Sequence, residues 1–230
     1  MATITDKTLA KYGSEELFHD VHRDMLKRFF LWVKDNNIPI CLMFGGFLGY
    51  CRENRIILWD HDIDVGILQD DFHLLTDEVL SKLPEYGFDK PDFSNKKYHY
   101  VEDNFNGEYF RIYNSNLKTK YELIEIFPLK NYENTDNIFY KFWFQYKQGK
   151  KKIYQDLMWV DFYDFKIQIP QDLEAALMHQ YGEKWHMPKK SKQYLKNIDS
   201  EYQSLIVNRL KELKIGPYEH YEKINNFFKF

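Results

Sequence analysis

Residues Phe44 to Leu68 read F-G-G-F-L-G-Y-C-R-E-N-R-I-I-L-W-D-H-D-I-D-V-G-I-L. Three aspartates stand at alternate positions, Asp60, Asp62 and Asp64, and Ile63, Val65 and Ile67 alternate with them. In a strand, successive side chains point to opposite faces. The pattern predicts one strand with an apolar face and a carboxylate face. Same-face neighbours on a strand are only ~6.6 Å apart, and like charges that close disfavour each other's ionisation. A divalent cation would relieve the row. Upstream, Gly45-Gly46 follows an apolar run and opens a predicted short helix. Backbone N–H groups at such a turn suit phosphate oxygens. The stretch thus offers metal ligands and phosphate donors together.

Outward from there, the N-terminal side reads as helix then strand. From Ser14 to about Asn36, Leu17, Val21, Met25, Leu26, Phe29, Phe30 and Val33 recur at helical spacing. Ser14 is a suitable cap. Ile38 to Phe44 is an apolar run that predicts a buried strand. On the C-terminal side, Asp71 to Leu83 predicts a second amphipathic helix. Tyr98–Glu102 and Tyr109–Tyr113 flank N-F-N-G and predict a hairpin. Tyr121 to Phe127 predicts a strand stopped by Pro128, and Ile138 to Tyr146 one further strand. Val160 to Ile169 predicts an irregular strand pair. Asp172 to Tyr181 predicts a helix ended by Gly182, and Ser200 to Leu213 another. The order implies an α+β fold in one domain over residues 1–230, with a catalytic core over about 38–188 and a helical C-terminal portion over about 171–230.

Composition narrows the function classes. A net charge of −3 argues against a general nucleic-acid binder, which carries a basic excess. The two cysteines, Cys41 and Cys51, fall in predicted core elements and read as reduced thiols. No apolar leader or long apolar run occurs, so the expectation is a cytoplasmic chain with no integral membrane segment.

A metal-assisted phosphoryl site needs a third carboxylate, and Glu125 in L-I-E-I-F-P is the candidate. It is flanked by apolar residues, as in a strand buried on both faces. Such an acid is costly unless paired or metal-bound. Pairing with Arg52 or Arg111 is the competing structural role. Four readings of the aspartate row stay open on residues alone. They are a calcium loop, the D-x-D of a sugar-nucleotide glycosyltransferase, the paired aspartates of a nucleotidyltransferase fold, and a purely structural row. Val65 stands where the calcium loop needs glycine.

G-G-F-L-G-Y-C-R followed by I-I-L-W-D-H-D-I-D-V-G-I resembles the signature of the LicD/fukutin family of phosphotransferases. L-I-E-I-F-P-L resembles that family's later strand, and Y-G-E-K-W-H-M-P, through Tyr181, Gly182, Trp185 and Pro188, its closing element. The resemblance implies a nucleotidyltransferase-type mixed sheet flanked by helices. It implies Asp62, Asp64 and Glu125 as catalytic and metal-binding residues for Mg²⁺ or Mn²⁺. Gly45, Gly46, Arg52, Asp60, Arg111 and Trp185 are the substrate-binding candidates. It implies a CDP-linked alcohol donor (phosphocholine-, phosphoribitol- or phosphoglycerol-like), a glycan or glycolipid acceptor, and release of CMP. The alternatives are a nucleotidyltransferase releasing pyrophosphate or a glycosyltransferase. Two departures stand out: Gly46 replaces a Ser or Thr, and Leu58 replaces a Pro.

Overall fold

The structure is a computed structural model that describes residues 15–57, 60, 62–91, 99–102, 107–115, 123–132, 135–142, 145–186 and 208–215. Ser14, Leu58, Trp59, His61 and Pro188 lie outside the described residues, as does most of the predicted Ser200–Leu213 helix.

A long helix, α1 (Glu15–Asp35), leads into β1 (Ile40–Leu42). Its apolar stripe is buried: Met25, Leu26, Phe29, Phe30, Trp32 and Val33 are at most 1% exposed. Phe29 meets Phe88 edge to face, and the Trp32 indole N–H donates to the Val79 carbonyl at 3.3 Å. Next come α2 (Phe44–Glu53) and β2 (Ile63–Leu68). The strand is shorter than its sequence pattern predicts. It starts at Ile63, so Asp60 and Asp62 precede it and only Asp64 belongs to it.

The predicted helix over Asp71–Leu83 is broken into pieces. A 3₁₀ turn over Gln69–Leu74 is followed by α3 (Asp77–Ser81) and a second 3₁₀ turn over Leu83–Tyr86. Thr76 makes the break: it is extended, and its hydroxyl accepts from the Val79 N–H to cap a new helix.

The hairpin forms as predicted from β3 (His99–Glu102) and β4 (Gly107–Tyr113). β5 (Leu123–Asn131) runs through Pro128 instead of stopping there. β4 pairing ends at Ile126 and β6 pairing begins at Lys130, so on that side the proline's missing N–H forfeits no ladder bond. The aromatic run after it is a hairpin, not one strand: β6 (Asn137–Phe142) and β7 (Gln145–Lys150). α4 (Lys152–Gln155), the hairpin β8 (Leu157–Phe162) and β9 (Phe165–Pro170), and α5 (Leu173–Tyr181) complete the order, and 208–213 is helical.

The main sheet runs β1-β2-β5-β4-β3, with β6 and β7 continuing from the far end of β5. β2 and β5 are parallel and the other pairs antiparallel, so the sheet is mixed, with α1 packed against β9. One face carries Ile63, Val65, Ile67, Ile124 and Ile126 into the larger core. The other carries Leu68, Phe127 and Leu129 into a second apolar cluster with Phe44, Tyr140 and Tyr154. Cys41 and Cys51 are buried free thiols.

α5 lies against both clusters: Leu173, Ala176 and Leu177 join the larger core, and His179 meets Tyr140 and Tyr154 of the second edge to face. Asp172 caps it, accepting from the Ala175 N–H at 3.0 Å. Asp172→Ala is expected to cost about 1 kcal/mol, seen in a thermal melt as a fall of about 2–4 °C in Tm.

Candidate active site

Register builds the site. β2 lies parallel to β5 with Asp64 beside Glu125, and β4 lies antiparallel to β5 with Arg111 beside the same Glu125. Register partners share a sheet face, so Asp64, Glu125 and Arg111 form a line across three strands. They sit where the second apolar cluster gives way to polar residues.

Asp62 joins from the bend just before β2. Asp62, Asp64 and Glu125 each offer a carboxylate oxygen, and these atoms lie within 4.8 Å of one another. Burial, with Asp62, Glu125 and Asp60 adding to it, pushes the Asp64 carboxyl well above the usual carboxylate range. Burial also raises Glu125, although Arg111 beside it works the other way. The Arg111 Nε and Nη2 both lie 2.8 Å from Glu125 Oε1. The ion pair to Arg111 weighed from the sequence therefore forms. Even so, three acids share one small volume, with Arg111 at its edge. That arrangement suits a hard divalent cation, which takes oxygen ligands.

The glycine pair is explained by close approach. A Cβ built on Gly45 falls 2.6 Å from Asp60 Cγ, so the missing side chain makes room for that carboxylate. A Cβ on Gly46 falls 2.9 Å from Leu42 Cδ1 on β1. Leu42 thus fills the space that a Ser or Thr side chain at position 46 would take. Neither glycine has a positive φ. The strained residue here is Phe44, whose φ of 44° is left-handed. Its ring meets Phe127 and Tyr140 edge to face. Its N–H donates to Gln180 Oε1 at 2.8 Å.

Arg52 and Trp185, two of the substrate-binding candidates, are both buried. Arg52 follows Gly45 by two helical turns, ~10.5 Å along the axis, and shares its face. Yet it is 2% exposed, with Nη2 lying 3.4 Å from Glu53 Oε1. Trp185 lies in the larger core at 4% exposure, edge to face with His186. Its indole packs; its length carries it inward from the turn that follows α5.

Sequence reasoning passed over the last turn of α5. Gln180 is buried among apolar residues and bonds back to α2. Tyr181 has its hydroxyl pushed well above the ordinary phenol range, first by burial and then by Asp60 and Asp64, with Arg52 opposing. Tyr181 belongs to the Y-G-x-x-W element, so a signal existed for it. Gln180 offered none beyond a polar residue beside that element.

A mixed sheet delivering acids from two parallel strands to one point, beside a helix whose first turn carries a glycine pair, defines a nucleotidyltransferase-type domain. The family model described as LicD/FKTN/FKRP, nucleotidyltransferase domain, matches residues 37–172, and the chain belongs to that family. Among curated proteins it is similar to the ribitol-5-phosphate transferase FKTN of Mus musculus. The two are 26% identical over 163 residues, which cover 69% of this chain and 32% of the relative. The FKTN of Homo sapiens is 26% identical over 158 residues, covering 67% of this chain and 31% of the relative. The chain spans about a third of the length of these relatives. No helix among the described residues is long and apolar enough to cross a membrane.

Proposed function

We propose that this chain is a metal-dependent phosphotransferase. It moves a phospho-alcohol group, of the phosphoribitol, phosphoglycerol or phosphocholine kind, from a CDP-linked donor to a glycan hydroxyl and releases CMP. The observation that carries the reading is the convergence of Asp62, Asp64 and Glu125 within 4.8 Å. Membership of a family with ribitol-5-phosphate transferases supports the substrate class.

Asp62, Asp64 and Glu125 would hold Mg²⁺ or Mn²⁺. When bound, the ion neutralises phosphate oxygens and stabilises charge developing in the transition state. The chain's own groups do the rest. The first turn of α2, at Gly45 and Gly46, presents backbone N–H groups toward the donor phosphates. Arg111, on the strand beside Glu125, adds positive charge at the mouth of the site. Asp60 sits over Gly45 and shapes the entrance. Glu125, raised by burial against the opposing pull of Arg111, would take the proton of the attacking hydroxyl.

The test is product analysis. CDP-ribitol, CDP-glycerol and CDP-choline, each with Mn²⁺ and a phosphorylated-glycan acceptor, are expected to yield CMP from one of them. Release stops on chelation with EDTA and returns with added Mn²⁺. Release of pyrophosphate from CTP instead would make the enzyme a nucleotidyltransferase. Release of a nucleoside diphosphate from a nucleotide sugar would make it a glycosyltransferase.

A further inference from the structure

The first N–H groups of a helix have no partner within it and need one from elsewhere. In α2 that need is acute. Met43, the N-cap, makes no side-chain cap bond, and Phe44 starts the helix in a left-handed conformation. A bulky residue there is strained and persists only when its surroundings fix it. The Phe44 ring is fixed by Phe127 and Tyr140. Its N–H is fixed by Gln180, which reaches across from the other helix.

Gln180 is itself held. Its Nε2 donates to the Tyr154 hydroxyl at 3.4 Å, and that hydroxyl lies 2.9 Å from His179 Nδ1. Burial keeps His179 neutral, with its pKa lowered to about 4. This chain of His179, Tyr154 and Gln180 ends on one backbone amide, one residue before the glycine pair. The next residue along α5, Tyr181, lies near enough to Asp60 and Asp64 for their charges to help raise its hydroxyl pKa. The last turn of α5 is therefore tied to the start of α2 through Gln180.

We propose that Gln180 is a positioning residue that sets the direction of the Gly45 and Gly46 N–H groups, and through them the affinity for the donor's diphosphate. The inference rests on the reading of α2's first turn as the donor-phosphate turn. It also explains why an amide stands at position 180. A carboxylate could accept the same bond, but it would add a negative charge against the first amide of the turn where an anion must bind. An apolar residue would fill the space and leave the Phe44 N–H with a lost acceptor.

The experiment compares binding of CDP and of cytidine, each with Mn²⁺, by calorimetry in the full chain. In Gln180→Leu the Kd for CDP is expected to rise about tenfold, the order expected for one well-placed hydrogen bond and its knock-on loss of alignment. Cytidine binding is expected to stay unchanged, because the base does not depend on the phosphate turn. Gln180→Glu is expected to weaken CDP more than Gln180→Leu does. Tyr154→Phe keeps the ring packing and removes only the hydroxyl behind Gln180, so a milder loss, about threefold, is expected even if Gln180→Leu folds poorly. Unchanged CDP affinity in these variants overturns the inference, as does an equal loss for CDP and cytidine. Amide resonances of Gly45 and Gly46 give a ligand-free readout and are expected to move in Gln180→Leu. If wild-type protein binds no CDP, the donor reading falls, and these resonances alone decide whether Gln180 positions the turn.

Discussion

Replacing Asp64 with asparagine is expected to abolish transfer and to make the protein harder to unfold. Asp64 is buried on β2, beside Glu125 and close to Asp62 and Asp60, and its carboxyl is pushed well above the ordinary range. Each pKa unit of such a shift corresponds to about 1.4 kcal/mol between the two protonation states. The sign follows from proton counting. Where the folded pKa lies above the unfolded one, the folded state holds more protons in the interval between them. The full stability is present below the unfolded carboxylate pKa and is lost as pH rises through the folded value. At neutral pH the wild-type chain therefore carries a penalty that an isosteric amide removes.

Two melts and one rate measurement check this. The Tm of Asp64→Asn is expected to exceed wild type in EDTA, by about 2–4 °C for each kcal/mol recovered. The gap is expected to widen from pH 5 to pH 8. Saturating Mn²⁺ at about 100 times its Kd is expected to stabilise wild type by about 2.7 kcal/mol and to leave the variant nearly unmoved. Donor turnover is expected to fall by about 10³-fold or more, the scale seen when charge stabilisation in a transition state is lost. A variant that turns over donor within tenfold of wild type would remove Asp64 from the catalytic group. One less stable than wild type in EDTA would refute the stored repulsion.

These trade-offs bear on what could be read from the chain. β2 was visible because Ile63, Val65 and Ile67 alternate, and β5 because its apolar run is long. Glu125 was conspicuous as the one acid inside L-I-E-I-F. What failed was local. Period two continued through Asp60 and Asp62, yet pairing with β5 begins at Ile63, so the strand is shorter than its pattern. The β6–β7 hairpin was missed because F-W-F-Q carries none of the glycine, proline or asparagine that usually mark a turn. Thr76 looked like an ordinary helix position until its hydroxyl was seen capping a new start. The larger omissions are tertiary. Nothing in sequence links Gly45 to Asp60 or Phe44 to Gln180, because those pairs meet only after the sheet has assembled. The sequence motif names the chemical groups; the contacts that aim them come from α5, more than a hundred residues later.

Gly45→Ala tests one of those contacts, and two effects compete in it. Alanine is the better helix former by about 1 kcal/mol, and Gly45 has no positive φ that would forbid it. On propensity alone the change should stabilise α2. Against that, the new methyl would lie 2.6 Å from Asp60 Cγ, closer than side-chain carbons approach. The Asp60 backbone is held, its N–H donating to the Ile57 carbonyl at 2.9 Å, so relief has to come from rotating the carboxylate away from its place in the site. Overpacking of this kind costs about 1–3 kcal/mol. Sterics should win narrowly, so the expected fall in Tm is modest while the displaced carboxylate lowers turnover by about 10–100-fold. Asp60→Gly in the same chain opens the space again. In a double-mutant cycle the two changes are expected to couple by about 0.5–3 kcal/mol, with stability restored and turnover still low. Recovery of stability without activity separates Asp60's place in the site from its bulk. Strict additivity in the cycle, or full activity in Gly45→Ala, would show that the glycine serves the backbone turn alone.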